Sequence, residues 1–402
     1  MSHSGLLCRG RGSRCWSWTR PETRPHFSPA RDANDHLPRM TSPRFVWLPL
    51  AVVLPAVALA AQSVAARDTA PRFPGRTWEE RSPAEVGLEA ARLDAFAANV
   101  GGDGVVIKDG YLVKSWGEIS SHKWWASASK PVFSTLLLCA VQEGKLPGVD
   151  APVHSAGWEL APKDAAMTFR QLANMTSGYA CAEKPGEAWG YNDFAIQLYA
   201  RSLERIFGQP LAEAFAQRFG MLHFEDGIFW GHRNNLGVVA SPRDFARLGW
   251  LWLNRGRWGD REVVPERLFV EHIRPQVPAD LQRAVTKNRA PDDYLGLGSY
   301  GGGTNQTPHG PGVYGFNFWF NAPTPGGARV WPAAPPDVYQ ANGMWNRDTL
   351  TVFPGLRMVV AVRGANPGKF APGEPDSTYD RNLQLLVAAA RSGPAAPNSS
   401  AK

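Results

Sequence analysis

Cysteine is scarce in this sequence: 402 residues hold four. No C-x-x-C, no H-E-x-x-H and no clustered His/Cys spacing occurs, so a structural or catalytic zinc site finds no support. G-x-S-x-G is absent, which disfavours an α/β-hydrolase. There is no G-x-G-x-x-G before a helix and no Walker pattern, so nucleotide binding is not supported and no cofactor is expected. Internal repeats and long runs of like charge are also missing. At 44% hydrophobic residues the chain is too long and too apolar for a disordered or disulfide-held mini-protein. Its length allows one large domain or two to three ordinary ones.

The formal charge is +7. The first 60 residues carry eight Arg and three acids, so five of the seven units sit there. The remainder is nearly neutral, and the basic isoelectric point is no argument for a nucleic-acid partner. Met40 opens a second plausible start. A short positive region ending at Arg44 precedes an uncharged stretch from Phe45 to Ala66, apolar through Ala60, with small residues at Ala58-Leu59-Ala60 and Ser63-Val64-Ala65. That pattern is a secretory signal peptide over 40–65, the alternative being an uncleaved anchor. Cleavage would leave no stable membrane insertion and a secreted or periplasmic protein. Residues 1–39 then read as a spurious or disordered extension, or as an organelle transit sequence, and take Cys8 and Cys15 with them. Cys139 and Cys181 remain, able to pair or to stay as buried thiols.

Residues 66–80 read as a lead-in linker, and the domain is expected over 81–391, with 392–402 a disordered tail. Ser82-Pro83 would start a helix running through Leu88, Leu93 and Phe96. Val105–Val113 around Asp109-Gly110 reads as a hairpin. From Ser127, apolar residues recur at helical spacing to Val141. The lobe from about 150 to 290 is helical in pattern, with Thr168 as a cap, Asp193–Phe207 ending at Gly208, and Ser241-Pro242 opening another helix. Val313–Phe320, Val338–Gln340, Thr349–Phe353 and Met358–Val362 read as strands, and Arg381–Ala390 as a final helix. Strands at both ends and helices between predict an α+β fold, an antiparallel sheet built from both chain ends around an inserted helical lobe.

Ser-x-x-Lys occurs at Ser120/Lys123, Ser127/Lys130 and Ser399/Lys402. Only Ser127 heads a strong apolar helix. There Lys130 shares a helix face with Ser127, and the helix N-terminus offers positive dipole and N–H groups to an oxyanion. A buried lysine with a lowered pKa could accept the serine proton; a capping Ser beside a surface Lys is the plainer alternative. Pro185-Gly186-Glu187-Ala188-Trp189-Gly190-Tyr191-Asn192-Asp193 follows, after Met175-Thr176-Ser177-Gly178.

In this order the motifs resemble the serine β-lactamase-related superfamily, which includes class C β-lactamases, DD-peptidases, esterases and 6-aminohexanoate-dimer-type hydrolases. The resemblance spans roughly 80–390 and takes in Ser82–Leu88 and Ser241–Leu248. It implies a β-lactamase/transpeptidase-like fold. It implies Ser127 as acylated nucleophile, Lys130 as its proton partner and Tyr191 as proton relay. A phenol near an ammonium is suited to that relay.

Two positions depart from the family pattern. Asp193 falls where the family has a substrate-binding amide; an acid there could pair with Lys130 or cap the helix. In Tyr339-Gln340-Ala341-Asn342-Gly343-Met344, Ala341 replaces the late-strand Lys or His. Gly343 would still admit substrate close to the strand, and the Met344 N–H would complete an oxyanion hole with that of Ser127. Losing the cation favours a small neutral ester or amide substrate over a β-lactam or a D-Ala-D-Ala terminus, unless Arg347 restores the charge. DD-carboxypeptidase or β-lactamase activity and a catalytically weak binding relative are the alternatives. His309 is expected as a solvated loop residue, a role at the site edge being the alternative. Oligomeric state is not addressed by the sequence.

Overall fold

A computed structural model describes residues 71–232, 235–285, 292–299, 307, 309–366 and 378–391. The expectations for 1–39, 40–65, the first part of the lead-in and the 392–402 tail lie outside these residues. Strands are β1 (Asp103–Lys108), β2 (Tyr111–Trp116), β3 (Lys123–Trp124), β4 (Phe229–His232), β5 (Asn235–Ala240), β6 (Arg257–Trp258) and β7 (Arg261–Glu262). They continue as β8 (Tyr314–Gly315), β9 (Phe318–Phe320), β10 (Tyr339–Gly343), β11 (Asp348–Phe353) and β12 (Met358–Arg363). Helices are α1 (Ala90–Val100), α2 (Lys130–Gln142), α3 (Phe169–Ala173), α4 (Asp193–Phe207), α5 (Leu211–Phe219), α6 (Pro242–Leu253), α7 (Glu266–His272) and α8 (Thr378–Arg391).

One seven-stranded sheet runs β2-β1-β12-β11-β10-β9-β8 with antiparallel neighbours. Its strands come from both ends of the chain, as the α+β expectation requires. Alternation along β11 and β12 divides its faces. Leu350 and Val359 meet α6, which approaches so closely that a Cβ on Gly249 would stand 2.6 Å from Val359 Cγ1. Thr349, Thr351, Val360 and Val362 turn the other way, toward α1 and α8. Both layers are closed by fully buried apolar side chains such as Leu93, Val106, Phe245 and Leu386.

The structure corrects several local expectations. The helix expected from Ser82 is broken. A short 3-10 turn, Pro83–Val86, ends at Gly87 with φ 74°, and α1 begins separately. Val313–Phe320 is two short strands, because Phe316 and Asn317 turn back at positive φ. The central lobe is not wholly helical: its β4 and β5 pair with each other, and β5 pairs with β3 from before the lobe, as a second sheet. Of the two states left open for Cys139 and Cys181, the structure shows buried free thiols. By contrast, Thr168 caps α3 through the Gln171 N–H, and α4 ends at left-handed Gly208.

Candidate functional site

Ser127 lies in a 3-10 turn, Ala126–Ser129, that runs into α2. The second sheet anchors this turn. The Trp125 N–H donates to the Val238 carbonyl at 2.9 Å, and the Val238 N–H donates back to Ser129 Oγ at 2.8 Å. The Trp125 indole donates to the Ala240 carbonyl and stacks on Phe245 at 4.0 Å. Ala126, just before the serine, is held at φ 47°. A non-glycine residue in that region persists only where its surroundings over-determine it.

Lys130 is the hub. Its ammonium donates to Ser127 Oγ at 2.7 Å and to the Tyr191 hydroxyl at 2.8 Å, and pairs with Asp193 Oδ1 at 2.7 Å. An ammonium has three protons and no acceptor capacity, so three oxygens at this range suit its charged form. Burial pushes its pKa down, but the Asp193 carboxylate and the Tyr191 oxygen outweigh that, leaving Lys130 raised above the ordinary lysine value. The expected lowered pKa is therefore corrected: the Asp193 carboxylate, which could pair with Lys130 or cap α4, pairs, and with Tyr191 it outweighs burial.

Tyr191 is positioned by its neighbours in the chain. The Gly190 N–H donates to the Met175 carbonyl and the Trp189 N–H to the Gln282 carbonyl. Asn192, not Asp193, caps α4: its side-chain oxygen accepts from the N–H groups of Phe194 and Ala195, and its amide donates to the Tyr179 carbonyl at 2.6 Å. Asp193 is thus released from capping and turns to Lys130. Asn192 is a site residue that sequence reasoning passed over, although Asn is among the best caps. Trp319 stacks on the Tyr191 ring at 6.0 Å, and Tyr314 meets it edge-on at 6.3 Å.

On the other side, β10 brings Gly343 against the nucleophile's backbone. A Cβ there would stand 2.8 Å from the Trp125 carbonyl oxygen, 3.0 Å from Ala128 N and 3.2 Å from Ser127 N. Met344 follows, its side chain 41% exposed. Ala341 is fully buried and supplies no cation. Arg347 is exposed on the following turn and makes no hydrogen bond or ion pair with the Ser127 cluster.

His309 is not solvated as expected. It is buried beside Trp319, edge-on at 6.4 Å, and burial together with the Arg283 charge pushes its pKa down to about 4. Among the described residues no group of His, Cys, Asp and Glu could hold a metal, and no helix is long and apolar enough to cross a membrane.

Comparison with known proteins agrees with this architecture. The Beta-lactamase family model matches residues 90–380. A protein of Bacillus anthracis provisionally described as a 6-aminohexanoate-dimer hydrolase aligns with 79% of this chain and 87% of its own, at 17% identity and TM-score 0.55. A family VIII carboxylesterase aligns over 79% and 99%, at 14% identity and TM-score 0.53. A beta-lactamase/D-alanine carboxypeptidase of Yersinia pestis aligns over 76% and 97%, at 14% identity and TM-score 0.51. An uncharacterized protein of Alkalihalophilus pseudofirmus is 23% identical over 175 residues, which is 36% of this chain. The match spans about half that relative's length, 52%.

Proposed function

This chain belongs to the Beta-lactamase family, a family of hydrolytic serine enzymes, and from that premise we propose that it cleaves a small uncharged ester or amide through an acyl-serine on Ser127. The observation carrying this reading is the convergence of Ser127 Oγ and the Tyr191 hydroxyl on one buried ammonium, within 2.8 Å.

Because Lys130 is held charged, it orients and stabilises rather than accepting the proton. Ser127 Oγ attacks the substrate carbonyl carbon. Its proton passes to the Tyr191 oxygen as Tyr191 gives its own to the leaving alcohol or amine, whose bond to the acyl carbon breaks. The Ser127 N–H and the Met344 N–H receive the developing oxyanion. Water then repeats the sequence in reverse, returning a proton to Ser127 and releasing the acid. No resident cofactor takes part.

The preference for an uncharged substrate rests on charge. Ala341 supplies no cation, and Asp193 already neutralises Lys130. The Met40-led apolar run supports a secreted or periplasmic location, and the near-neutral body gives no ground for a nucleic-acid partner.

A fluorophosphonate probe should label the folded protein, and Ser127→Ala should abolish labelling. An unlabelled but folded wild type would sink the acyl-serine reading. Higher kcat/KM for a chromogenic cephalosporin than for p-nitrophenyl acetate would overturn the substrate preference.

A further inference from the structure

The turn joining β10 to β11 has an unfavourable backbone. Met344, Trp345 and Asn346 take φ of 50°, 52° and 67° in succession. Residues with a Cβ rarely enter this region, and a run of three needs a strong hold. That hold is visible. The buried Asn346 N–H donates to Asn342 Oδ1 at 3.0 Å. The Asn342 amide donates to Asn346 Oδ1 and, at 2.8 Å, to Gln340 Oε1. Gln340 in turn donates to Thr351 Oγ1 at 2.7 Å. The Arg347 N–H closes the turn on the Met344 carbonyl at 3.2 Å.

Met344 is 41% exposed and Trp345 is 56% exposed, so the turn holds two large apolar side chains in water. Their place gives the reason. Consecutive Cα atoms are 3.8 Å apart, so the Trp345 Cα lies within about 7.6 Å of the Gly343 Cα. Gly343 itself lies against Ser127 N. Met344, which offers its N–H to the oxyanion in the proposed mechanism, comes between Gly343 and Trp345, so Trp345 belongs to the β10 rim, one residue beyond the group that meets the attacked carbonyl. The leaving group must draw its proton from Tyr191, so the acyl chain is the part of the substrate assigned to the β10 turn.

We propose that Trp345, with Met344 beside it, is the receiving surface for an apolar acyl chain of the substrate, so that the enzyme selects esters or amides of medium-length alkyl or aryl acids. This rests on Ser127 being the acylated residue. Burial of an indole face by the chain is non-directional and scales with apolar area, so preference should rise with chain length.

The test compares p-nitrophenyl acetate and hexanoate. Trp345→Ala should leave kcat/KM for acetate within about twofold and lower that for hexanoate about tenfold, with Trp345→Phe retaining most of it. The residue is exposed, so the melting temperature should hold. In a Ser127→Ala background, where no turnover occurs, adding Trp345→Ala should weaken calorimetric binding of the hexanoate ester by a similar factor. Equal losses on both esters, or on neither, would overturn the proposal while leaving the acyl-serine reading intact. Binding that depends on Trp345 in a protein that hydrolyses neither ester would support the rim and sink the chemistry.

Discussion

Asp193 Oδ1 lies 2.7 Å from the Lys130 ammonium, with both side chains almost shut off from water. Removing one partner of such a pair leaves a buried charge uncompensated, at about 3–5 kcal/mol. Asp193→Asn should therefore lose about 3 kcal/mol in urea unfolding. The pH dependence gives a second reading. In the wild type the Lys130 pKa is raised, so its contribution is complete below the ordinary lysine value and is lost only as pH rises through the folded value. In the variant only the Tyr191 oxygen is left to oppose burial, the larger effect, and stability should then fall on going from ~pH 9 to ~pH 7. Wild-type and variant curves running parallel and close together would show that the pair does not set the lysine's charge.

Gly343 carries the sharpest steric prediction. A methyl group there meets the Trp125 carbonyl oxygen, Ala128 N and Ser127 N, all backbone atoms that cannot rotate aside. Gly343→Ala must push β10 away from the nucleophile turn. Overpacking of this kind costs about 1–3 kcal/mol. Losing one oxyanion donor costs about 10²–10³ in kcat. Turnover of p-nitrophenyl acetate should fall by about a hundredfold, with KM changing less. Near wild-type turnover would mean that Gly343 and Met344 do not border the reacting carbonyl.

How far the sequence reaches depends on how local each cause is. Ser127 and Lys130 are readable together because three residues along a helix place them on one face, and their contact is observed. The C-terminal end of α4 is readable because Gly208 takes a left-handed conformation that other residues resist. The choice between Asn192 and Asp193 as cap is not readable, since both residue types cap well and the decision follows from Lys130 lying across from Asp193. The Lys130 charge state is hidden for the same reason. The sheet of β3, β5 and β4 is missed because β3 pairs with a strand more than a hundred positions away.

Cys139 and Cys181 offer a direct check on the fold. Burial pushes the Cys139 thiol up to about 12 and the Cys181 thiol up to about 11, so little thiolate is available at neutral pH. Neither residue should react with Ellman's reagent in the native protein, and both should titrate after denaturation without reductant. Native-state labelling of Cys181 would mean that the Asn192 cap, whose amide lies 3.6 Å from Cys181 Sγ, opens readily.

His309 ties acid stability to the site. It packs edge-on to Trp319, which stacks on Tyr191. Burial, then the Arg283 charge, pushes its pKa down to about 4. An unfolded histidine binds its proton near ~6.5, so between these values the unfolded state holds the proton and the native state does not. Stability is therefore unaffected above that window, falls as pH drops through it, and reaches its full loss below about 4. The total is on the order of 3 kcal/mol. His309→Asn removes the titration. Its unfolding free energy, followed by urea from ~pH 7 to ~pH 4, should decline less steeply than that of the wild type. Identical slopes would mean that His309 takes its proton without leaving its place beside Trp319, and the neutral-histidine account of that wall would fail.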